Sequence, residues 1–141
     1  MIINTRPEKV SKKIIELCEQ EKIECRHVHM SRIEFLSGSK KQQIYREVIK
    51  NIHKFSNIIF TSQASAKFGS DLFNLHPGLL NSRQNIFSVG DATKKILIDN
   101  GFKSITPNNK SSQGIIDLIK EKFPGKNLIF SPGRQMDVFN G

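Results

Sequence analysis

Cysteine is scarce in this sequence: there are two, Cys18 and Cys25. Two cysteines cannot build a disulfide framework or a four-ligand metal site. Seven residues apart, on an expected helix and an expected strand, they read as core residues rather than a redox pair. Long apolar runs are also missing. Stretches such as Asn57-Ile58-Ile59-Phe60 are far too short to span a bilayer. The opening Met1-Ile2-Ile3-Asn4-Thr5-Arg6-Pro7 lacks the basic-then-apolar order of a secretory signal. These absences lead to the expectation of a cytoplasmic chain in a reducing compartment, away from membranes.

Acidic charge is in short supply. Lys and Arg total 22 against 13 Asp and Glu, a net charge of +9 over 141 residues. A cation of this size attracts polyanions: nucleic acid, an acidic membrane or an acidic small molecule. A solvated lysine-rich surface accounts for the charge equally well. The basic residues are spread along the chain and form no arm, so charge alone does not choose the partner. Hydrophobic residues make up 37 %, with ten Phe, enough for a folded core.

The periodicity alternates between strand and helix. Residues 1–5 read as a short strand and residues 7–22 as an amphipathic helix, with Pro7 at its start. Glu24 to Phe35 reads as a long strand, broken at Leu36-Ser37-Gly38-Ser39. Helices are expected over residues 41–55 and 63–75, with strand 57–60 between them. A strand at 86–89 leads through Gly90-Asp91-Ala92-Thr93 into a helix stopped by Asn100-Gly101. A short strand at 102–106, a helix from Ser111 to Phe123 and a strand at 128–130 complete the pattern. This predicts an α/β fold, a parallel sheet flanked by helices. In such sheets ligands bind at the carboxyl ends of the strands.

Those ends carry Thr5-Arg6-Pro7, Thr61-Ser62-Gln63, Val89-Gly90-Asp91-Ala92-Thr93, Asn108 to Ser112 and Ser131-Pro132-Gly133-Arg134. Small hydroxyl residues and glycines stand just before helices, where free amides and a partial positive charge favour anions. Each is also an ordinary helix cap; the repetition and the net charge favour an anionic ligand. No G-x-x-x-x-G-K-[ST] or G-x-G-x-x-G is present, which argues against nucleotide and dinucleotide sites. No acidic cluster marks the strand ends, no third ligand accompanies His27 and His29 for a metal, and no nucleophile elbow occurs. No metal is expected on these residues. Chemistry here rests on positioning and electrostatics.

In order and spacing, these segments resemble uroporphyrinogen-III synthases. Thr5-Arg6-Pro7 is similar to the family's N-terminus, Asn57 to Ser62 to its apolar strand ending in Thr-Ser, and Val89 to Thr93 to its Val-Gly-x-x-Thr turn. Leu128 to Gly133 is similar to a late strand of the family. The resemblance implies a two-domain architecture with a cleft between the domains, and a cofactor-free hydro-lyase acting in tetrapyrrole and haem biosynthesis. It closes hydroxymethylbilane, a linear octacarboxylate, to uroporphyrinogen III with loss of water and inversion of the last ring. Carried over by motif position, Thr61, Ser62, Gly90 and Thr93 bind substrate carboxylates, and Arg6 faces the cleft. Family chains run longer. On that comparison residues 1–36 are a strand–helix piece of an incomplete first domain plus a linker strand, and residues 37–141 a second domain. Tyr45 does not match the tyrosine often implicated in catalysis. Little activity is therefore expected of the isolated chain, with a complementary C-terminal fragment as a partner. The competing reading is a non-catalytic anion- or nucleic-acid-binding α/β module. Nucleic acid is disfavoured because the aromatic residues sit in apolar patterns rather than as stacking platforms.

Overall fold

The computed structural model describes residues 6–29 and 38–131. The expected opening strand at 1–5, the second half of the expected strand 24–35 and the turn at 132–134 lie outside the described residues.

Helix α1 (Arg6–Gln20) leads into strand β1 (Cys25–His29), and helix α2 (Gly38–Asn51) runs through a short 3-10 turn, Ile52–Lys54, to strand β2 (Asn57–Phe60). Helix α3 (Gln63–Leu75) precedes strand β3 (Asn85–Ser88), and helix α4 (Asp91–Asp99), helix α5 (Ser112–Lys122) and strand β4 (Asn127–Ser131) follow. The four strands form one parallel sheet in the order β1-β4-β2-β3. The α/β reading holds, and β2 and α3 fall where the periodicity puts them.

Ile58-Ile59-Phe60 of β2 and Leu128-Ile129-Phe130 of β4 read as unbroken apolar runs because both faces of the sheet are covered there. Ile58, Phe60, Ile86, Leu128 and Phe130 point to one side, where Tyr45, Val48, Phe68, Leu72, Phe73 and Leu97 of α2, α3 and α4 cover them. Ile59, Phe87 and Ile129 point to the other, under Ile14 and Cys18 of α1 and Ile115, Ile116 and Ile119 of α5. Phe60 stacks on Phe130 at 5.0 Å and meets the edge of Phe73 at 6.1 Å. Each such fully buried side chain contributes about 1.5–3 kcal/mol through burial. Tyr45 lies edge-on to Phe68 at 5.3 Å and is part of this core.

The described residues of the N-terminal segment, α1 and β1, are built into the same sheet. β1 pairs along its length with β4, from Cys25 opposite Asn127 to His29 opposite Ser131, and α1 packs on α5. The physical reason is mutual need: β4 would otherwise carry an open ladder of amides and carbonyls, and the apolar stripes of α1 and α5 bury each other.

Asparagines open three of the strands. Asn57 stands opposite both Asn85 and Asn127 in register. Its Nδ2 donates to the Phe123 carbonyl at 2.9 Å and to Asn127 Oδ1 at 2.8 Å, while its Oδ1 accepts from Asn85 Nδ2 at 3.2 Å. Asn127 Nδ2 donates onward to the carbonyls of Glu24 at 3.0 Å and Gly125 at 3.1 Å. Asn57 and Asn127 are wholly buried, and this ladder satisfies their amides while fixing the register of all four strands at one edge.

Candidate functional site

The opposite edge, at the carboxyl ends of the strands, is where helices begin. α3 and α4 start within three residues of β2 and β3. The segment before α5 pairs with β3 through the parallel bridge Phe87–Ile105, so α5 also starts from this edge. α1 runs into the amino end of β1, which puts its own start, at Arg6, on the carboxyl side. The Arg6 side chain lies outside the described residues, as do those of His27 and His29.

The three described helix starts differ in how their amides are used. At α3, Ser62 caps the helix and closes a reciprocal box with Ser65: Ser65 N–H donates to Ser62 Oγ at 3.0 Å, and Ser62 N–H donates to Ser65 Oγ at 3.1 Å. Ser65, an unusual residue at an inward position, thus has a local purpose that the sequence did not reveal. Thr61 Oγ1 donates to the Phe130 carbonyl at 3.2 Å, tying β2 to β4. Both Thr61 and Ser62 are 5 % exposed and bond within the fold. What α3 presents outward is the amides of Gln63 and Ala64, which have no acceptor in the helix.

At α4 the cap is Gly90, which has no side chain to offer, so the first-turn amides of Asp91, Ala92 and Thr93 carry no side-chain cap. A Cβ built on Gly90 meets nothing within 4 Å, so the space above this start is open. Thr93 is buried in the first turn. At α5, Ser111 Oγ accepts from Gly114 N–H at 3.1 Å, leaving the amide of Gln113 without an acceptor in the helix.

Two groups at this edge escaped the sequence reading. Lys110 Nζ reaches Asp91 Oδ2 at 2.6 Å, bridging the starts of α4 and α5 and setting an ammonium beside the open cap. The signal was its place in Asn108-Asn109-Lys110-Ser111-Ser112, just ahead of α5. Ser88, at the end of β3, contacts Ser104 Oγ at 2.9 Å and Thr106 Oγ1 at 2.7 Å, which holds the segment leading to α5 against the sheet.

The edge therefore brings Thr61, Ser62, Gly90 and Thr93 together at neighbouring helix starts, with an exposed lysine between two of them. Successive helix amides and their dipoles make a row of anion-binding positions, suited to a ligand bearing several carboxylates. Residues 12–139 match the family described as uroporphyrinogen-III synthase HemD.

The chain belongs to the uroporphyrinogen-III synthase family. No curated protein matches it. Membership of this synthase family connects the chain to tetrapyrrole biosynthesis and a small-molecule tetrapyrrole substrate. Among the described residues no helix is long and apolar enough to cross a membrane, and no group of three or more His, Cys, Asp or Glu side chains could hold a metal ion. The described phenylalanines are built into or against the two cores, which leaves no exposed aromatic row for stacking bases. Some of the basic residues are paired locally, Arg26 with Glu47, Lys67 with Asp71, Lys95 with Asp99, Lys120 with Glu21 and Lys126 with Glu24, all exposed pairs of small energetic weight that leave the surplus of positive charge unchanged.

Proposed function

We propose that the carboxyl edge of the sheet binds hydroxymethylbilane and takes part in its closure to uroporphyrinogen III, the uroporphyrinogen-III synthase reaction. The observation that carries this reading is the uncapped start of α4 at Gly90, lying on one edge with the starts of α3 and α5 in a chain of this family. Carboxylates of the bilane accept hydrogen bonds from the amides of Asp91, Ala92 and Thr93 and from those of Gln63 and Ala64. Thr61 and Ser62 shape the α3 start that presents those amides. Lys110 supplies a screened positive charge beside them, and Arg6 adds one from the start of α1. Binding of this kind orients the two ends of the bilane, and loss of the hydroxyl and ring closure draw on that positioning and on the fixed dipoles around it.

The described residues provide one wall for the substrate. Inversion of the last ring needs the bilane enclosed from a second side, a role we assign to a complementary fragment of the same family. An assay coupled to a bilane-producing enzyme should thus give mostly the type I isomer, formed spontaneously, when this chain is added alone. Robust production of the type III isomer by the chain alone would overturn the one-wall reading.

Binding is tested separately, with the octacarboxylate uroporphyrin III as probe. Gly90→Asp should leave the fold intact, since the added side chain enters open space and Asp is a good cap, worth about 0.5 kcal/mol of stability. Its carboxylate would occupy the amides meant for the ligand, and affinity should fall roughly tenfold or more, at about 1.4 kcal/mol per tenfold. Fluorescence titration of both proteins decides the matter: equal affinity for the variant and the parent chain excludes the α4 start as the binding position.

A further inference from the structure

Of the three described helix starts at the carboxyl edge, only that of α4 carries an acidic side chain in its first turn, Asp91. Its Oδ2 meets Lys110 Nζ at 2.6 Å, and among the described ion pairs this is the one that joins two helix starts. The backbone under each partner is fixed. Asp91 follows the Gly90 cap directly, and Lys94 N–H donates to the Gly90 carbonyl at 3.0 Å. Lys110 is the centre of a three-residue turn in which Ser111 N–H donates to the Asn109 carbonyl at 2.7 Å, and that carbonyl packs against the first turn of α5 at Gly114. The side chains have room to swing, since Asp91 is 70 % exposed and Lys110 52 %. A carboxylate of the chain itself thus already holds the ammonium beside the α4 amides that lack a side-chain cap.

We propose that Asp91 is a built-in competitor for the ligand: it holds Lys110 while the site is empty, and a ligand carboxylate displaces it. The inference rests on the reading that a polycarboxylate binds at this edge. An aspartate side chain and a carboxylate arm of the bilane present the same chemical group to the ammonium, so exchanging one for the other changes little. The pair opens readily, because an exposed ion pair is weak. A ligand with a single carboxylate makes one ion pair by breaking another. A ligand with several sets further carboxylates on the amides of Asp91, Ala92 and Thr93 and of Gln63 and Ala64 in the same event, and these contacts offset the exchange. Asp91 thereby acts as a repulsive element that turns away small monoanions and admits polycarboxylates. Once displaced, its side chain turns into water.

Four proteins decide it: the parent chain, Asp91→Asn, Lys110→Met and the double variant. Each is titrated with uroporphyrin III by fluorescence at one low ionic strength, where exposed charges are least screened. Asp91→Asn should bind about threefold to fivefold tighter than the parent, the range set by the weight of an exposed ion pair. Lys110→Met should weaken the parent by less than about twofold, because there one carboxylate–ammonium pair replaces another, and should weaken Asp91→Asn by about threefold to fivefold. Equal losses in the two backgrounds would overturn the proposal, since Asp91 and Lys110 then act independently. Weaker binding by Asp91→Asn would overturn it too, and would make Asp91 a residue that orients the lysine. Gly90→Asp separates this inference from the reading beneath it. If that variant binds as tightly as the parent, the α4 start is not the binding position and both fall. If it loses affinity while the four-protein cycle is additive, the competition alone is refuted.

Discussion

Asn57→Ala is expected to lower stability by about 4 kcal/mol, at about 1–3 kcal/mol for each buried polar partner left unsatisfied. The substitution strands the Phe123 carbonyl, Asn127 Oδ1 and Asn85 Nδ2, all of which bond to this one side chain. Water cannot easily replace it, because Asn57 and Asn127 are both fully buried. A loss of this size is a large share of the roughly 5–15 kcal/mol that holds a domain folded. Urea denaturation should show a lower midpoint with an unchanged slope. A fall of less than about 1 kcal/mol would mean that the ladder is not what fixes the strand starts.

Gly114→Ala should be nearly as damaging, by about 3 kcal/mol or more, the scale of forced overpacking. An added Cβ would lie 1.9 Å from the Asn109 carbonyl oxygen and 2.9 Å from its carbon, both backbone atoms. In an open helix the same change would stabilise by about 1 kcal/mol, because alanine is the better helix former. Here the sign reverses, since the loop before α5 packs so closely on its first turn that one of the two must move. Thermal unfolding should start roughly 10 °C lower. Gly90→Ala is the contrast: with nothing within 4 Å of the new Cβ, it should leave the midpoint almost unchanged.

The interior strands were the most legible part of the sequence. Asn57-Ile58-Ile59-Phe60 is apolar without alternation because both faces are covered, and its bounds match β2. The Asn100-Gly101 stop also holds, with Gly101 at φ 93° after the end of α4. The expected strand at 102–106 proves to be a single bridge. Ile105 N–H donates to the Ile86 carbonyl and Ser88 N–H to the Ile105 carbonyl, after which Pro107 has no amide to continue the ladder. Hydroxyls of Ser88, Ser104 and Thr106 hold the segment instead. The pairing of β1 with β4 was not legible, because nothing local in Cys25 to His29 names a partner about a hundred residues away.

At the candidate site, residue type was readable and side-chain direction was not. Thr61 and Ser62 occupy the helix start that their motif suggests. Their hydroxyls turn inward, because a reciprocal box with Ser65 and a carbonyl of the neighbouring strand satisfy them within the fold. Gly90 was read for its position, and with no side chain it leaves the first amides of α4 without a side-chain cap.

The strand order sets the timing of assembly. β4 is the last described strand in the chain, yet it lies between β1 and β2, and its Asn127 side chain closes a contact with Glu24 across 103 residues. α1 and β1, made first, have no sheet to join until β4 exists, and the apolar stripe of α1 waits exposed for α5. The high contact order of this closure predicts slow folding, with the segment from β2 to β3 collapsing before the N-terminal elements dock. During synthesis on the ribosome, α1 and β1 would be the part of the chain most in need of shelter from aggregation.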